Sequence, residues 1–147
     1  MPRPRGGDWL AIEMERLRGE GADIVASLLT PEEETELDLV DEGAACEQAG
    51  LEFRRFAIPD RQTPDHSTSF AAFVRELHGD ALRGRAVVAH CRAGIGRSSV
   101  LLASMLTLSG YSVQDAFIMI SGVRGFSVPD TPEQIEWVDR FARSLRT

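Results

Sequence analysis

Short apolar runs and longer stretches of helical spacing alternate along most of the chain. Three segments predict strands because they are apolar or alternate between apolar and polar positions: 23–29, 51–58 and 86–89. Segments with apolar residues at three- and four-residue spacing predict helices: 9–18, 43–48, 70–77 and the stretches that begin at Ser98, Ser112 and Thr131. Strands that alternate with helices in this way indicate an α/β domain.

Three of the predicted helices carry recognisable start signals. The segments 30–33 and 131–134 each begin with threonine and proline, and they place Glu33 or Gln134 at the third helical position. This pattern predicts a capping box with proline in the first helical turn. Asp8 precedes the segment 9–18 and is the expected N-cap of that helix.

Composition and charge are those of an ordinary globular domain, and we expect residues 1–147 to form a single one. Of the 147 residues, 43% are hydrophobic and 27% are charged. No apolar stretch is long enough to cross a bilayer, and no apolar segment of a secretory signal follows the basic N-terminal residues. The formal net charge of −7 argues against nucleic acid as a ligand. We therefore expect a cytoplasmic monomer that binds neither membranes nor nucleic acid.

Acidic residues are concentrated early in the chain. Seven of them fall within eleven positions: Glu32, Glu33, Glu34, Glu36, Asp38, Asp41 and Glu42. Such a cluster is typical of a solvated helix face, and that is the expectation here. A site for a metal or a basic partner is the alternative.

The most informative segment is 90–98, His-Cys-Arg-Ala-Gly-Ile-Gly-Arg-Ser, which lies between a predicted strand and a predicted helix. Cys91 stands at the strand end, and the helix begins about where Arg97 falls. The amides of a tight loop before a helix N-terminus lack helical partners, so they form a cradle for an anion. Gly94 and Gly96 allow the positive φ and the close approach that such a cradle requires.

The same loop suits attack on phosphorus by sulfur. Arg97 supplies a planar set of donors that can hold two phosphate oxygens at once. The cradle also stabilises negative charge on Cys91, so the nucleophilic thiolate exists at neutral pH. Ser98 can hydrogen-bond the sulfur and help it leave in a second step. A ring N–H of His90, bonded to nearby backbone, can fix the shape of the loop.

This segment resembles the Cys-x5-Arg signature of the protein tyrosine and dual-specificity phosphatase superfamily, and the chain is similar to the small kinase-associated phosphatase group. The resemblance extends over nearly the whole chain, including the apolar strand 24–29 and the helix start 131–134. It implies a short, mostly parallel central sheet flanked by helices. It also implies hydrolysis of phosphate monoesters through a phosphocysteine. Phosphotyrosine is the expected substrate group, and a shallow slot would also admit phosphoserine and phosphothreonine.

The resemblance assigns phosphate binding to six loop residues: Arg92, Ala93, Gly94, Ile95, Gly96 and Arg97. It implies a phosphorylated protein as substrate and requires neither a metal nor a cofactor. Ala93 stands where phosphoinositide-directed relatives often carry lysine, which argues against an inositol lipid. Arg92 either contacts a second feature of the substrate or is simply exposed. Gln134 stands where some relatives orient water, although a capping residue is the favoured interpretation.

A general acid must protonate the departing oxygen, and the resemblance places it on the loop after the predicted strand 51–58. Asp60, directly after Ile58-Pro59, occupies the position of that acid. Asp65 is the competing candidate, although its position suggests the start of the next helix. A solvated loop carboxylate is the alternative for both.

Two other classes of protein use parts of this pattern. A rhodanese-like sulfurtransferase also carries a cysteine in a strand-to-helix loop, but it needs neither the upstream aspartate nor the pair Arg97-Ser98. A catalytically inactive phosphatase fold that binds phosphoproteins would usually lack the cysteine, the arginine or the acid, and this chain has all three. We therefore favour an active phosphatase with Cys91, Arg97, Asp60 and Ser98 as its catalytic residues.

Cys46 is the second of two cysteines, which are too few for a disulfide framework. A nucleophilic Cys91 must stay reduced, and this requirement indicates a reducing compartment. Cys46 lies in the predicted helix 43–48, where a packed core cysteine is the favoured interpretation. The alternative is a resolving cysteine that forms a reversible disulfide with Cys91 under oxidation.

Overall fold

The computed structural model describes residues 1–65 and 67–145 of the chain. A short 3-10 turn, Gly7–Trp9, opens the described fold. The strands and helices that follow are, in chain order, α1 (Leu10–Gly19), β1 (Ile24–Ser27), α2 (Pro31–Glu36), α3 (Glu42–Gln48), β2 (Glu52–Arg55), α4 (Ser67–Leu82), β3 (Val87–His90), α5 (Arg97–Leu108), α6 (Val113–Arg124) and α7 (Pro132–Ser144). Within the described residues, no helix is long and apolar enough to cross a membrane.

Three parallel strands form the central sheet in the order β2-β1-β3. The register aligns Ser27, the last residue of β1, with Arg55 and His90 at the ends of its two neighbours. Parallel strands bring their carboxyl ends to one edge, so the loops that follow all three strands meet there. This arrangement confirms the expected short parallel sheet, although β1 and β2 are shorter than the segments that predicted them and β3 is shifted by one residue.

The two faces of β1 define two separate cores. All four residues of β1 are buried, and successive side chains point to opposite faces of the sheet. Ile24 and Ala26 pack in a cluster with residues of α4, α5, α6 and α7. Val25 packs in a second cluster with residues of α1 and α3. The domain is therefore a three-layer α/β/α structure in which a small sheet is covered on both sides.

Both predicted capping boxes are confirmed, whereas the predicted cap of the first helix is wrong. The hydroxyl groups of Thr30 and Thr131 accept hydrogen bonds from the amides of Glu33 and Gln134. The side chains of Glu33 and Gln134 in turn accept from the backbone amides of the two threonines. Asp8 lies inside the 3-10 turn, and the N-cap of α1 is Trp9, without a side-chain cap. The turn forms because Gly7 adopts a φ of +60° and donates its amide to the carbonyl of Asp38 at 3.0 Å.

Cys46 is a packed core residue of α3. It is fully buried in the cluster formed with α1, where its Sγ lies 3.3 Å from Sδ of Met14. Burial and the negative charge of Glu42 raise the pKa of the Cys46 thiol to about 12, so it stays protonated at neutral pH. Cys91 belongs to the other cluster, with helices α4 to α7. The two thiols therefore pack in different cores, and this favours the interpretation of Cys46 as a packing residue.

The resemblance implies that the protein turns over para-nitrophenyl phosphate, and we predict that a Cys46→Ala variant loses this turnover under mild peroxide at the same rate as the wild type. A protonated, buried thiol cannot resolve an oxidised Cys91. The measurement is residual turnover of para-nitrophenyl phosphate after peroxide treatment, with and without later dithiothreitol. Recovery of the wild type alone, together with a Cys46–Cys91 peptide in mass spectrometry, would contradict this prediction.

Candidate active site

The cysteine loop, residues 91–96, joins the end of β3 to the start of α5 at the carboxyl edge of the sheet. Gly94 has a φ of +72°, a conformation that side chains rarely adopt. Gly96 lies so close to Asp130 and Gln134 that a Cβ at this position would collide with both side chains. The positive φ that the sequence predicted for both glycines is confirmed at Gly94 and is wrong at Gly96, whose φ is −93° and whose small size instead leaves room for Asp130 and Gln134.

Carbonyl groups of the cysteine loop accept hydrogen bonds from residues outside the loop, whereas amides of the loop donate to no protein group among the described residues. The amide of Arg3 donates to the carbonyl of Arg92 at 3.2 Å, and the guanidinium of Arg124 donates to the carbonyl of Gly94. Among the described residues, none of the amides of residues 92–97 donates a hydrogen bond to another protein group. Unpaired amides in front of a helix N-terminus can bind an anion.

Cys91 and Ser98 face each other across this loop. The sulfur of Cys91 lies 3.5 Å from Oγ of Ser98, and both residues are almost completely buried. The hydroxyl can donate to the sulfur once the thiol has lost its proton. This is the contact that the sequence predicted for Ser98.

The side chain of Arg97 is only 1% exposed, and its N–H groups donate hydrogen bonds to three residues. Nη1 and Nη2 donate to the two carboxylate oxygens of Glu33 at 2.6 and 2.9 Å. Nη1 also donates to the carbonyl of Ile58 at 2.8 Å, and Nη2 to Oδ1 of Asp60 at 3.0 Å. Within the described part of the chain, Nε is the donor that makes no protein hydrogen bond, so it remains available to a ligand.

Glu33 is the residue that fixes the guanidinium. Burial alone would raise its pKa, but hydrogen bonds from Arg97 and from the backbone of Thr30 lower the pKa of Glu33 to about 2. The carboxylate is therefore ionised at all physiological pH values. The same carboxylate accepts from the amide of Thr30, which completes the capping box of α2, and it holds the guanidinium of Arg97 in place.

The prediction of a solvated acidic face is wrong for part of the cluster at 32–42. Glu33, Glu34 and Glu42 are buried, because each has a basic partner elsewhere in the fold. Glu34 accepts from Arg55 at 2.9 Å, and Glu42 contacts His90. The capping pattern was the one sequence signal that singled out Glu33, and no pattern in the sequence singled out Glu42.

Arg92 is held beside the loop by two glutamates of α2. Its guanidinium lies 2.9 Å from Oε2 of Glu36 and 3.4 Å from Oε2 of Glu33. The side chain is 36% exposed. Arg92 therefore lies at the rim of the cradle, where it is neither free nor deeply buried.

Asp60 reaches the cysteine loop through its contact with Arg97. Its side chain is 52% exposed, and the next residue, Arg61, turns the chain with a φ of +61°. Asp65 is exposed and forms no ion pair with Arg97 among the described residues, and it lies two positions before the first residue of α4, Ser67. His66, which lies between them, is outside the described residues.

Gln134 is fully buried and completes the capping box of α7 that Thr131 begins, as expected. Its Oε1 accepts from the amides of Asp130 and Thr131 at 3.0 and 3.2 Å. Its Nε2 donates to the carbonyl of Gln62 at 3.2 Å. Gln134 therefore ties α7 to the loop that carries Asp60.

The fold and the loop together define a class of protein. A cysteine at the end of a parallel strand, an amide cradle and a buried arginine at the following helix start are the parts of a cysteine-dependent phosphatase of the tyrosine and dual-specificity class. The chain belongs to the Tc-R-P family, described as the DSP-PTPase phosphatase of polymorphic toxin systems, whose model matches residues 1–111. The expected family resemblance is thereby confirmed. Enzymes of this class hydrolyse phosphate monoesters through a phosphocysteine.

Individual relatives agree with this assignment. The chain is 32% identical over 72 residues to dual specificity protein phosphatase 22-A of Danio rerio; the match covers 48% of this chain and 35% of that protein. Kinase associated phosphatase, solved with its catalytic-site cysteine replaced by serine, shares the fold with a TM-score of 0.88 at 21% identity, over 99% of this chain and 85% of that one. Tk-PTP in its active form shares the fold with a TM-score of 0.77 at 24% identity, over 97% of this chain and 88% of that one.

We predict that Glu33→Gln destabilises the protein by about 3 kcal/mol at neutral pH, because it removes the carboxylate that pairs with both terminal nitrogens of buried Arg97 and leaves the half-exposed Asp60 as the anionic partner. A pKa depressed from 4.5 to about 2 stabilises the fold above pH 4.5, and this stabilisation is lost as the pH falls toward 2. The difference in the free energy of unfolding between wild type and variant should therefore decrease as the pH falls from 4.5 toward 2. Denaturant unfolding at several pH values measures this difference.

Glu36→Gln is the matched control, since Glu36 lies on the same helix and pairs with Arg92 but has a side chain that is 64% exposed. The free energy of unfolding of this variant should differ from that of the wild type by less than about 1 kcal/mol at every pH. Equal losses in the two variants would mean that the contact with Arg97 does not stabilise the fold.

Proposed function

We propose that this protein removes phosphate from phosphotyrosine and, through a shallow slot, from phosphoserine and phosphothreonine in protein substrates. The observation that carries the proposal is the arrangement of Cys91, beside Ser98, in a loop whose amides have no protein partner and whose end is held by the buried Arg97. Such a loop can bind a phosphate dianion and present a thiolate to its phosphorus.

In the first step, the sulfur of Cys91 attacks phosphorus, an S–P bond forms and the ester P–O bond breaks. The amides of residues 92–97 and the guanidinium of Arg97 hold the equatorial oxygens as charge develops on them. Asp60 gives its proton to the departing oxygen. Since Oδ1 of Asp60 accepts from Nη2 of Arg97, a phosphate bound by the guanidinium would compete for that donor and release the carboxyl group.

In the second step, the ionised Asp60 takes a proton from water as the water oxygen attacks the phosphocysteine. The S–P bond breaks, and inorganic phosphate and the Cys91 thiolate are formed. Ser98 donates a hydrogen bond to the departing sulfur, which its 3.5 Å separation from Sγ allows. No step requires a metal or another cofactor.

Substrate and setting are inferred from the same features. Ala93 offers no cation to an inositol phosphate, so we favour phosphoproteins over phosphoinositides. The buried thiol of Cys91 must stay reduced, and this favours the cytoplasm. We infer one phosphatase domain over residues 1–147, acting as a monomer without membrane or nucleic-acid partners.

We predict that Cys91→Ser loses turnover of para-nitrophenyl phosphate by at least about 1,000-fold, because a hydroxyl cannot replace the thiolate as nucleophile. Binding of a phosphotyrosine peptide, measured by calorimetry, should be retained because the amide cradle is unchanged. Wild-type turnover should also persist in EDTA. Variant turnover within about tenfold of the wild type would exclude a covalent mechanism on Cys91.

We predict that Asp60→Asn slows hydrolysis of an alkyl phosphate by about 100-fold or more. The same change should slow para-nitrophenyl phosphate by less than about tenfold, because this leaving group departs with little protonation. Asp65→Asn is the control, since Asp65 is exposed and forms no ion pair with Arg97 among the described residues. Should the leaving-group dependence follow Asp65 instead, Asp60 would not be the acid.

A further inference from the structure

Arg124, the last residue of α6, reaches the middle of the cysteine loop from outside. Nη1 of its guanidinium donates to the carbonyl oxygen of Gly94. The guanidinium also lies over the ring of Phe126, with its central carbon 4.8 Å from the ring centroid. Gly125, in the left-handed conformation with a φ of 78°, ends the helix between these two residues. A carbonyl group on one side and an aromatic face on the other therefore hold Arg124 beside the loop.

Arg124 differs from the other two arginines of the site in its partners. Arg92 and Arg97 are both paired with Glu33, and each has a second carboxylate partner as well. Arg124 forms no ion pair with any residue that the structure describes. Its positive charge therefore adds to the attraction of the loop for an anion, and this effect of charge must be separated from the effect of its hydrogen bond.

The hydrogen bond from Arg124 determines the direction of a loop amide. The carbonyl of Gly94 and the amide of Ile95 belong to one peptide group, which is planar and trans, so its N–H points opposite to its C=O. With the carbonyl held toward Arg124, the amide of Ile95 is turned away from Arg124. This amide is one of those that donate to no protein group in the described part of the chain.

Gly94 cannot fix the direction of its own carbonyl. Glycine lacks the Cβ that restricts φ and ψ in other residues, and Gly94 has a φ of +72°. The peptide group that follows it can therefore rotate at low cost unless an outside donor holds it. Two other carbonyls of the loop have such donors. That of Cys91 lies 3.3 Å from Nδ1 of His90, and that of Arg92 accepts from the amide of Arg3 at 3.2 Å.

We propose that Arg124 is a positioning residue that orients the peptide group between Gly94 and Ile95, so that the Ile95 amide donates to a bound phosphate oxygen. The proposal deepens the proposed function and rests on it, because it requires the loop to bind a phosphate group. Arg124 acts through this peptide group and not as a ligand of the phosphate. Without its hydrogen bond the peptide group can turn, and the cradle loses one of its donors.

The test is the affinity of Arg124→Met for inorganic phosphate, measured by calorimetry. Methionine keeps an unbranched side chain but has neither the donor nor the charge. Binding should weaken by about tenfold relative to the wild type, as expected for the loss of one hydrogen bond to a charged acceptor. Binding needs no turnover, so failure of the proposed function appears separately, as retained turnover in Cys91→Ser.

Salt separates the hydrogen bond from the charge. The measurement is made in about 0.1 M and about 1 M sodium chloride, between which the Debye length falls from about 10 Å to about 3 Å. A loss caused by peptide orientation persists at the higher concentration. A loss that disappears there would show that Arg124 acts by charge alone and would overturn the proposal.

Arg143→Met is the matched control. Arg143 is also an arginine in the last turn of its helix, but it pairs with Asp139 and its side chain is 75% exposed. This variant should bind phosphate as the wild type does at both salt concentrations. Equal losses in the two variants would contradict a specific role of Arg124.

A measurement on the wild type covers the case in which Arg124→Met does not fold. In amide NMR of the nitrogen-labelled protein, added inorganic phosphate should move the Ile95 amide proton downfield, because this amide then donates to an anion. An Ile95 amide that does not respond while other amides of the loop do would overturn the proposal without any substitution.

Discussion

The site depends on one buried ion pair, between Arg97 at the start of α5 and Glu33 on α2. A guanidinium removed from water needs an acceptor for its donors, and a buried charge left without a partner costs several kcal/mol. Glu33 provides two carboxylate oxygens, and the loop after β2 provides the carbonyl of Ile58. Two segments that are distant in sequence from Arg97, α2 and the loop after β2, therefore hold the arginine in one orientation.

This ion pair also explains why α2 exists as a short helix of six residues. Such a helix is marginal by itself, and its acidic sequence contains no apolar face. The capping box begins the helix, and the carboxylate of Glu33 is shared between the cap and Arg97. Local structure and site geometry thus depend on the same side chain.

Local sequence patterns were sufficient to predict the elements that depend on interactions between residues close together in the chain. The positions of the strands and the capping boxes of α2 and α7 follow from neighbouring residues. The burial of Glu33 and Glu42 does not, because their basic partners stand 64 and 48 positions away. A run of acidic residues resembles a solvated surface until tertiary structure brings a cation to it. The extent of β2 was overestimated for a similar reason, since pairing stops at Arg55 opposite Ser27, where β1 ends.

The sequence separation of these contacts has a consequence for how the protein is made. Glu33 emerges from the ribosome long before Arg97, and Asp60 precedes Arg97 by 37 positions. Contacts of such separation form late, because the intervening chain must first lose its freedom. Until then the acidic helix and the cysteine loop carry uncompensated opposite charges, which attract one another through solvent. The anion cradle therefore cannot be complete until the chain up to Arg97 has been synthesised and β3 has joined the sheet.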